Sequence, residues 1–416
     1  MSTLSLRRYA RILCFALLAA ALLAGCATTD RSAAGKPRLI VFFVVDGLPQ
    51  RQVVDYRDQL GADGFARFLE RGAWFAEAHY GHAYAVTAAG HATMLTGAYP
   101  RRTGIIGNEW RDRATAEAVY CTGDESSTYL DNKTEKLAGT SPKNLQVETV
   151  GDVLTRMDPR AKMISLSGLD YINHAYGAES RLSHEHLLRL DRMLEAFFAD
   201  LDRTVGKDNY VAVLTADHGF MPAPEYSISL GRDAGRQNIP ETLARLNDGL
   251  AAKFGTGKWA RTWSANGVLL DNALIAQKRV DRRALEQEAR RILLTERGIA
   301  EVFSSSDLAA TDLPAGTPFL AQMRYTCYTY YADRSPDLLV VAKPYWMFEA
   351  RRTATSTHGS PHAYDDHVPI LFYGPRWAGT GRVETPVAVI DIAPTLARLL
   401  GVTAPAASEG KLLPLP

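Results

Sequence analysis

The sequence predicts an α/β protein with a mostly parallel sheet and helices on both faces. Three apolar stretches have the length and composition of buried strands: Leu39–Val45, Lys162–Leu169 and Tyr210–Ala216. Segments with helical spacing of apolar residues lie between or beside them: Ala62–Arg71, Val147–Met157 and Leu182–Val205. Strands that alternate with helices favour parallel pairing, because each helix returns the chain to the same end of the sheet. With 416 residues, of which 46% are hydrophobic, the chain can bury a large core.

The second half of the chain adds elements of the same two kinds: strands Leu338–Val341 and Pro369–Tyr373, then a helix Ile392–Leu400. Residues 225–335 differ in composition, since they are rich in Arg, Ala and Gly and include the helical pattern Asp281–Thr295. We predict one domain over residues 38–416, with residues 225–335 as a small accessory subdomain.

The first 25 residues have the pattern of an export signal. Three arginines and no acidic residue precede an apolar run of 13 residues, Ile12–Ala24. This run is shorter than the roughly 20 residues that a membrane-spanning helix needs. It ends in Leu-Ala-Gly-Cys26, which resembles a bacterial lipobox, so we expect a lipid on Cys26 and a tether over residues 26–37. The protein would then be anchored in the bacterial envelope, facing the periplasm, at the outer membrane. An ordinary secretory signal with an incidental cysteine is the alternative.

Charge and cysteine content restrict the possible partners. The formal net charge is +1, and no basic run stands out, so no nucleic-acid-binding surface is evident. Besides Cys26 and a cysteine in the signal segment, the chain has Cys121 and Cys327. Export to an oxidising compartment would allow these two to form a disulfide, which is the expectation, with two separate buried thiols as the alternative.

Acidic residues directly follow the three predicted buried strands. Asp46, Asp170 and Asp217 each come at the carboxyl end of a strand, and the last two have a histidine nearby, His174 and His218 respectively. A single aspartate in this position is usually a turn former or a helix cap. The three aspartates as a set indicate more, because the carboxyl ends of parallel strands lie at one crevice. Carboxylates and imidazoles that lie close together form good sites for zinc or similar ions. The sequence therefore predicts a metal-dependent hydrolase.

A threonine lies at the start of a predicted helix between the first two acidic sites. Ala88–Leu95 has helix-forming composition and Gly97 could end the helix, which puts Thr87 at the N-cap or in the first turn. Free N–H groups there favour an anion, and a neighbouring metal can activate the hydroxyl as a nucleophile. The alternative is that Thr87 is only a helix cap.

Five motifs in this order resemble those of the alkaline phosphatase superfamily, in its threonine-nucleophile branch. This branch comprises the PafA-type alkaline phosphatases and the nucleotide pyrophosphatase/phosphodiesterases. The motifs are Thr87-x-x-Gly-His91, Gly104-Ile-Ile-Gly-Asn108, Ser167-Gly-Leu-Asp170-Tyr-Ile-Asn-His174, Leu214-Thr-Ala-Asp217-His218-Gly219, and Thr357-His358-Gly359 with Tyr364-Asp-Asp-His367. The resemblance extends from about residue 38 to the end of the chain and implies an alkaline phosphatase-like fold.

The resemblance also implies a role for each matching residue. It implies two zinc ions and a phosphoric ester hydrolase that acts on small-molecule phosphate mono- or diesters through a covalent phospho-threonine. One zinc would be bound by Asp46, Thr87, Asp217 and His218. The other would be bound by Asp170, His174 and His358, with His362 and His367 as alternatives for the last imidazole. Asn108 would donate a hydrogen bond to a non-bridging phosphate oxygen, and Thr87 would be the nucleophile.

One part of the family pattern is missing from this chain. PafA-type monoesterases have a Lys-x-Arg pair after the strand that follows the SPxNL segment, which is Ser141–Leu145 here. In this chain the following strand leads directly to Asp170, so a segment with these two cations is absent. Arg232, Arg236 and Lys343 are conceivable substitutes.

Several functions remain compatible with this departure from the pattern. Without the cation pair, the enzyme could favour diesters and have only weak monoesterase activity. Alternatively, the chain could be an inactive envelope protein that kept the fold. A related sulfatase or phosphonate hydrolase is a third possibility, but the sulfatase motif Cys-x-Pro-x-Arg is absent.

Overall fold

A computed structural model describes residues 35–127, 139–161, 170–309, 325–349 and 353–416, except for the side chain of Asp170. The predicted signal peptide, Cys26 and the predicted strand Lys162–Leu169 lie outside the described residues. Residues 37–416 form one compact unit, which is the part considered below. No helix within the described ranges is long and apolar enough to cross a membrane.

The strands within the described residues, in chain order, are β1 Leu39–Val44, β2 Ala73–Phe75, β3 Ala78–His79, β4 Glu109–Arg111, β5 Ala118–Tyr120, β6 Tyr210–Thr215, β7 Gly235–Asn238, β8 Ala260–Ser264, β9 Gly267–Leu270, β10 Ile299–Ser304, β11 Leu338–Ala342, β12 Trp346–Glu349, β13 Ile370–Tyr373, β14 Gly381–Val383 and β15 Val387–Ala388.

The α-helices with bounds in the same residues are α1 Gln50–Asp55, α2 Phe65–Arg71, α3 Thr87–Thr96, α4 Pro100–Thr103, α5 Val150–Met157, α6 Asp170–Tyr176, α7 Arg181–Leu201, α8 Pro224–Ser229, α9 Ile239–Phe254, α10 Asn272–Lys278, α11 Arg282–Leu293, α12 Ser305–Ala309, α13 Ala363–Asp366 and α14 Ile392–Leu400. Residues 325–329 are also helical.

The main sheet has the strand order β1-β6-β13-β2-β14. β1 is parallel to β6 and β2 to β14, whereas β13 is antiparallel to both of its neighbours. The α/β class is therefore confirmed, but the described sheet is mixed and less parallel than the sequence suggested. Because β13 is antiparallel to β6, Ile370 at the start of β13 pairs with Thr215 at the end of β6. The chain segment before β13 thus lies at the edge of the sheet where β6 ends.

Aromatic side chains pack α2 and α7 against this sheet. Phe198 of α7 lies 5.9 Å from Phe43 of β1 and 5.5 Å from Phe68 of α2, measured between ring centroids. Beside these rings, the buried guanidinium of Arg67 binds the carboxylate of Asp202 at 2.8 Å, and Tyr210 also donates to this carboxylate. The predicted amphipathic helix over residues 182–205 is confirmed as α7, which ends at Leu201 and continues into a π-helical turn.

A second hydrophobic core lies between α9, α11 and a four-stranded antiparallel sheet. The strand order is β10-β11-β9-β8. Its buried side chains include Leu246 and Leu250 of α9, Leu285 and Leu293 of α11, and Val340 of β11. β11 therefore belongs to this accessory sheet and not to the main one, so the accessory core extends beyond residue 335.

Cys121 and Cys327 do not form the disulfide that the sequence allowed. Both are free and buried. Cys121 packs with Ile106 and Trp110, whereas Cys327 packs with Phe303 in a different hydrophobic cluster. The thiols belong to separate clusters, so they are buried as two apolar side chains.

Candidate metal and catalytic site

Parallel pairing of β1 and β6 brings the first and third acidic residues together. Val44 pairs with Thr215, and Asp46 and Asp217 each lie two residues further along their strands. Gly47 has a positive φ of 70°, and its N–H donates to Oδ1 of Asp217 at 3.0 Å. This turn therefore holds the two carboxylates at the same edge of the sheet.

Asp46, Asp217 and His218 form a buried group that fits a metal ion. One ligand atom from each lies within 4.8 Å of the others. Nε2 of His218 is 3.4 Å from Oδ1 of Asp46 and 3.7 Å from Oδ2 of Asp217. Neither of these two buried oxygens has a hydrogen-bond partner within the described residues. Buried carboxylate oxygens without donors need a cation, so the group can bind a metal.

The proton on His218 supports the same conclusion. Nδ1 donates to the carbonyl oxygen of Gly219 at 2.9 Å, so Nε2 is the nitrogen that can bind a metal. Burial lowers the pKa of His218, but the charges of Asp217 and Asp46 outweigh burial and raise the pKa to about 9. Burial also raises the pKa of Asp46 above its ordinary value. The two carboxylates thus create a strongly negative site in which a metal ion can replace a proton.

Thr87 is the first residue of α3 and lies beside this group. Val86 is the N-cap residue, and no side chain caps the helix, so Thr87 is not an N-cap. Its Oγ1 lies 3.5 Å from Nε2 of His218. The hydroxyl is therefore next to the proposed metal ligands and at the positive end of a helix, as a nucleophile for an anionic ester requires.

α3 packs closely against the end of β6 through Gly90. A Cβ atom built on Gly90 would lie 2.1 Å from the carbonyl oxygen of Asp217, which leaves no room for a side chain. At the next residue, Nδ1 of His91 donates to the carbonyl oxygen of Thr87 at 2.8 Å and lies 3.4 Å from Oδ2 of Asp217. Gly90 and His91 thus set the distance between the helix and Asp217.

Asn108 is oriented for the role that the family resemblance implies. Its Oδ1 accepts a hydrogen bond of 2.8 Å from the backbone N–H of Ala88, in the first turn of α3. Because the carbonyl oxygen of the amide is used in this contact, the NH₂ group is the part that can donate to a phosphate oxygen. Asn108 also lines a cavity of about 200 Å³ together with Trp110 and Trp263.

His174 and His358 lie together beside the first group. Nδ1 of His174 donates to the carbonyl oxygen of Ser356 at 2.9 Å, and Nδ1 of His358 donates to that of Ala85 at 3.2 Å. The two rings are 5.1 Å apart between centroids, and the ring of His358 stacks on that of His218 at 3.5 Å. Both histidines therefore have Nε2 as the nitrogen with a lone pair. The side chain of Asp170, their predicted partner, lies outside the described residues.

The two alternative histidines lie elsewhere. Nε2 of His362 donates to the carbonyl oxygen of Ala342 at 2.9 Å. The ring of His367 stacks on that of His79, with centroids 4.5 Å apart. Among the three candidates for the last imidazole, His358 is the one that contacts both His174 and His218.

Two buried side chains support the site but were given no role from the sequence. Asn173 donates from Nδ2 to the carbonyl oxygen of Gly47 at 2.9 Å. Oδ2 of Asp365 accepts from the N–H of Ser360 at 2.9 Å and also from its hydroxyl, which fixes the loop that contains His358. Burial raises the pKa of Asp365 to about 7. Both residues lie within the motifs noted above, which was the available signal: Asn173 directly precedes His174, and Asp365 belongs to the motif that follows His358.

The cations suggested as substitutes for Lys-x-Arg have other contacts. Arg236 forms ion pairs with Glu225 at 2.8 Å and with Glu349 at 2.9 Å, and it also donates to two backbone carbonyls. The guanidinium of Arg232 lies over the ring of Tyr345 at 4.7 Å. For Lys343, the described contact is a backbone hydrogen bond to Gly298. The positive charge of Arg236 is therefore already neutralised by two carboxylates.

Comparisons with known proteins agree with the geometry. The family model for type I phosphodiesterase / nucleotide pyrophosphatase matches residues 40–156 and 148–365. Alkaline phosphatase PhoK of Sphingomonas sp. is 26% identical over 514 aligned positions, with 90% of each chain covered. Alkaline phosphatase PafA of Elizabethkingia meningoseptica is 22% identical, over 91% of this chain and 94% of the relative.

Solved structures show the same fold. The crystal structure of wild-type PafA superposes with a TM-score of 0.81 at 21% identity, over 92% of this chain and 99% of PafA. Murine ectonucleotide pyrophosphatase / phosphodiesterase 5 superposes with a TM-score of 0.55 at 14% identity, over 89% of this chain and 96% of that protein. Fold, motif order and family match thus agree: the chain is a phosphoric ester hydrolase that belongs to the type I phosphodiesterase / nucleotide pyrophosphatase family.

Proposed function

We propose that the chain is a two-zinc hydrolase of small phosphoric esters in which Thr87 is the nucleophile. The observation that carries this proposal is the position of Thr87 Oγ1, 3.5 Å from Nε2 of His218, whose two neighbouring carboxylates each have one buried oxygen without a hydrogen-bond partner within the described residues. Asp46, Thr87, Asp217 and His218 would hold one zinc, and Asp170, His174 and His358 the other. When bound, zinc ions polarise phosphoryl oxygens, favour the alkoxide of the nucleophile and stabilise the leaving oxygen.

The residues of the chain suggest the order of events at the phosphorus atom. The NH₂ group of Asn108 holds a non-bridging oxygen, and the start of α3 places positive potential beside it. Oγ1 of Thr87 gives up its proton and forms a bond to phosphorus, while the bond to the leaving alcohol oxygen breaks and that oxygen takes up a proton. Water then attacks the phosphorylated Thr87, which releases the phosphate group and restores the hydroxyl.

The proposal is tested by removing the nucleophile without removing the metals. Thr87→Val keeps the shape of the side chain but lacks the hydroxyl, and Thr87→Ala removes both. We expect each variant to lose at least about three powers of ten in kcat, because covalent catalysis ends with the hydroxyl. Thr87→Ser should retain part of the rate, and all three variants should still bind two zinc ions. A wild-type rate in Thr87→Val would exclude Thr87 as the nucleophile.

We further infer that the substrate preference of this enzyme is shifted from monoesters toward diesters, compared with family members that have the Lys-x-Arg pair. The alignment with PhoK extends over 514 positions, more than the 416 residues of this chain, so the relative contains segments that are absent here. The family model also matches in two segments that overlap at residues 148–156, just before the point where the Lys-x-Arg pair is expected. Arg236 is engaged by Glu225 and Glu349 and does not offer a free positive charge.

An inactive envelope protein that kept the fold is the second candidate, and the same missing segment favours it. The buried group Asp46, Asp217 and His218 weighs against this alternative. Two buried carboxylates without a bound cation are strongly destabilising, so a chain released from catalysis would be expected to lose them. The Thr87 variants distinguish the two candidates, since an inactive protein has no turnover to lose.

A location in the envelope is also part of the proposal. The lipobox-like Leu-Ala-Gly-Cys26 supports a lipid anchor at the outer membrane, with the enzyme facing the periplasm. Small phosphate esters that enter this compartment would then be the substrates.

A further inference from the structure

A second group of potential ligands lies at the protein surface, where β3 meets the segment that leads to β13. Glu77 lies directly before β3 and His79 ends this strand, and Oε2 of Glu77 is 3.4 Å from Nε2 of His79. His367 forms an antiparallel bridge with His79, which places its side chain directly opposite. One ligand atom from each of the three residues lies within 4.8 Å of the others.

The hydrogen bonds of the two imidazoles assign one lone pair to each ring. Nδ1 of His79 lies 3.0 Å from Oδ1 of Asp366, in a partly buried hydrogen bond. Because a carboxylate oxygen accepts, the proton is on Nδ1 and the lone pair is on Nε2. Nε2 of His367 donates to the carbonyl oxygen of Ala76 at 2.8 Å, which makes Nδ1 the nitrogen with the lone pair. A carboxylate behind a histidine in this manner is typical of metal sites, because it fixes the ring and makes the outer nitrogen more basic.

The distances fit a small divalent cation. Nε2 of His79 is 3.4 Å from Oε2 of Glu77, longer than the usual hydrogen bond of about 2.9 Å. Two ligand atoms that are each about 2.1 Å from a tetrahedral zinc ion are separated by about 3.4 Å. The rings of His79 and His367 are 15° from parallel. The ring of His79 is fixed by Asp366, so the ring of His367 has to rotate about its Cβ–Cγ bond and give up its hydrogen bond to Ala76 before both can bind the same ion.

We propose that Glu77, His79 and His367 form a third metal site, which binds a divalent first-row transition metal ion such as zinc. Two imidazoles and one carboxylate are ligands of the kind that zinc prefers, and water would occupy the fourth position. The side chains of His79 and Glu77 are 31% and 50% exposed, so the ion can enter from solvent. This site is separate from the buried one and does not depend on the proposed function.

The ion would connect two parts of the chain that position the catalytic site. His367 lies two residues after Asp365, and Asp365 fixes the loop of His358 through Ser360. The backbone oxygen of His367 also accepts a hydrogen bond from the N–H of Gln50. Binding of an ion between His79 and His367 would therefore stabilise the folded enzyme, because a ligand that binds only the folded state shifts the unfolding equilibrium.

The test is the number and affinity of zinc ions in the full enzyme at controlled free Zn²⁺. Equilibrium dialysis followed by elemental analysis is applied to the wild type, Glu77→Gln and His79→Gln, with His186→Gln as the matched control on a different surface. We expect three ions in the wild type and the control. In the other two variants, the affinity for the third ion should fall at least about tenfold, while ester hydrolysis at two bound ions remains unchanged.

Thermal unfolding supplies a second measurement. Added Zn²⁺ should raise the Tm of the wild type and the control more than that of Glu77→Gln, whose exposed side chain is not needed for folding. A wild type that binds no more zinc than both variants do, or a surface ion whose affinity is unchanged in both variants, overturns the proposal. If the buried site itself fails to bind zinc, the wild type still differs from the two variants by one ion, so the two failures remain distinguishable.

Discussion

The backbone N–H of Gly47 donates a hydrogen bond to Oδ1 of Asp217, which lies 170 residues further along the chain. Oδ2 of the same carboxylate has no hydrogen-bond partner within the described residues, and it faces Nε2 of His218 at 3.7 Å. One oxygen of Asp217 is thus used to fix the turn after β1, while the other is directed toward the proposed metal. This division of roles depends on the parallel register of β1 and β6.

The close packing of α3 on Asp217 predicts that Gly90→Ala damages the site. Alanine normally stabilises a helix by up to about 1 kcal/mol relative to glycine. At position 90, however, the new Cβ would lie 2.1 Å from a backbone oxygen, which cannot move as a flexible side chain can. We expect a loss of about 1–3 kcal/mol in the free energy of unfolding and a lower zinc occupancy.

Gly249→Ala in α9 is the matched control for this prediction. Its Cβ would meet a terminal methyl group of Ile292, which can rotate away. Denaturant unfolding and zinc analysis of both variants check the expectation. If Gly90→Ala and Gly249→Ala behave alike, the contact between α3 and Asp217 is not essential for the site.

The missing Lys-x-Arg pair predicts a changed ratio of specificity constants. Each charge-assisted hydrogen bond from such a cation contributes about 1.5–3 kcal/mol, so the loss of two lowers kcat/KM for a monoester by roughly two to four powers of ten. A diester has a single negative charge and should lose less. The measurement compares kcat/KM for an aryl phosphate monoester and the matching methyl aryl diester, in this enzyme and in one that has the pair. A strong monoester preference here would show that other cations replace the pair.

The pair of Arg67 and Asp202 predicts a stability effect that depends on pH. Burial raises the pKa of Asp202, but the hydrogen bonds from Arg67 and Tyr210 outweigh burial and hold the pKa below its ordinary value. A lowered pKa in the folded state means that the stabilisation is present above the unfolded value of 3.8 and is lost as pH falls through the folded pKa. Asp202→Asn should therefore destabilise the protein by about 2–3 kcal/mol at neutral pH, with a smaller difference in acid.

Asp200→Asn is the control for the pH effect, since the ion pair of Asp200 with Arg203 is about 70% exposed on both sides. Exposed pairs contribute less than about 1 kcal/mol, so this variant should unfold like the wild type at every pH. Denaturation curves at neutral and acidic pH provide the comparison. A difference between Asp202→Asn and wild type that stays constant with pH would contradict the assignment.

The lipobox-like sequence predicts that membrane association requires Cys26. In Cys26→Ala, the protein should no longer incorporate labelled fatty acid and should be recovered in the soluble envelope fraction, because the thiol that receives the lipid is missing. Cys14→Ala, within the predicted signal segment, should behave as the wild type. Unchanged membrane association of Cys26→Ala would reject the anchor.

Strand ends and the helix start were the parts of the site that the sequence could predict. Apolar stretches identify β1 and β6, and the acidic residues that follow them must meet if the strands are parallel. Asp46, Asp217 and His218 lie in one group in the structure, and their role as metal ligands stays a prediction. Thr87 likewise begins α3, and Gly97 ends it in a left-handed conformation at φ 69°.

Strand direction and the choice among histidines depend on distant contacts that sequence spacing does not contain. β13 is antiparallel to β6, and β11 joins the accessory sheet, although both are apolar strands of the same kind in the sequence. His358 is held by the carbonyl oxygen of Ala85, 273 residues away, whereas His367 pairs with His79. In the sequence, only the Thr357-His358-Gly359 motif of the family resemblance favours His358 over His367.

The central claim is that a phosphoryl group passes through Thr87, and trapping that group tests it most directly. The enzyme is mixed with an aryl phosphate ester, quenched in acid during turnover, digested and examined by mass spectrometry. The account predicts a phosphate on Thr87 in the peptide that contains residues 87–96, in an amount that rises with substrate, and none in Thr87→Val. A fully active enzyme that shows no phosphate on Thr87, or that has the phosphate on another residue, would contradict the account.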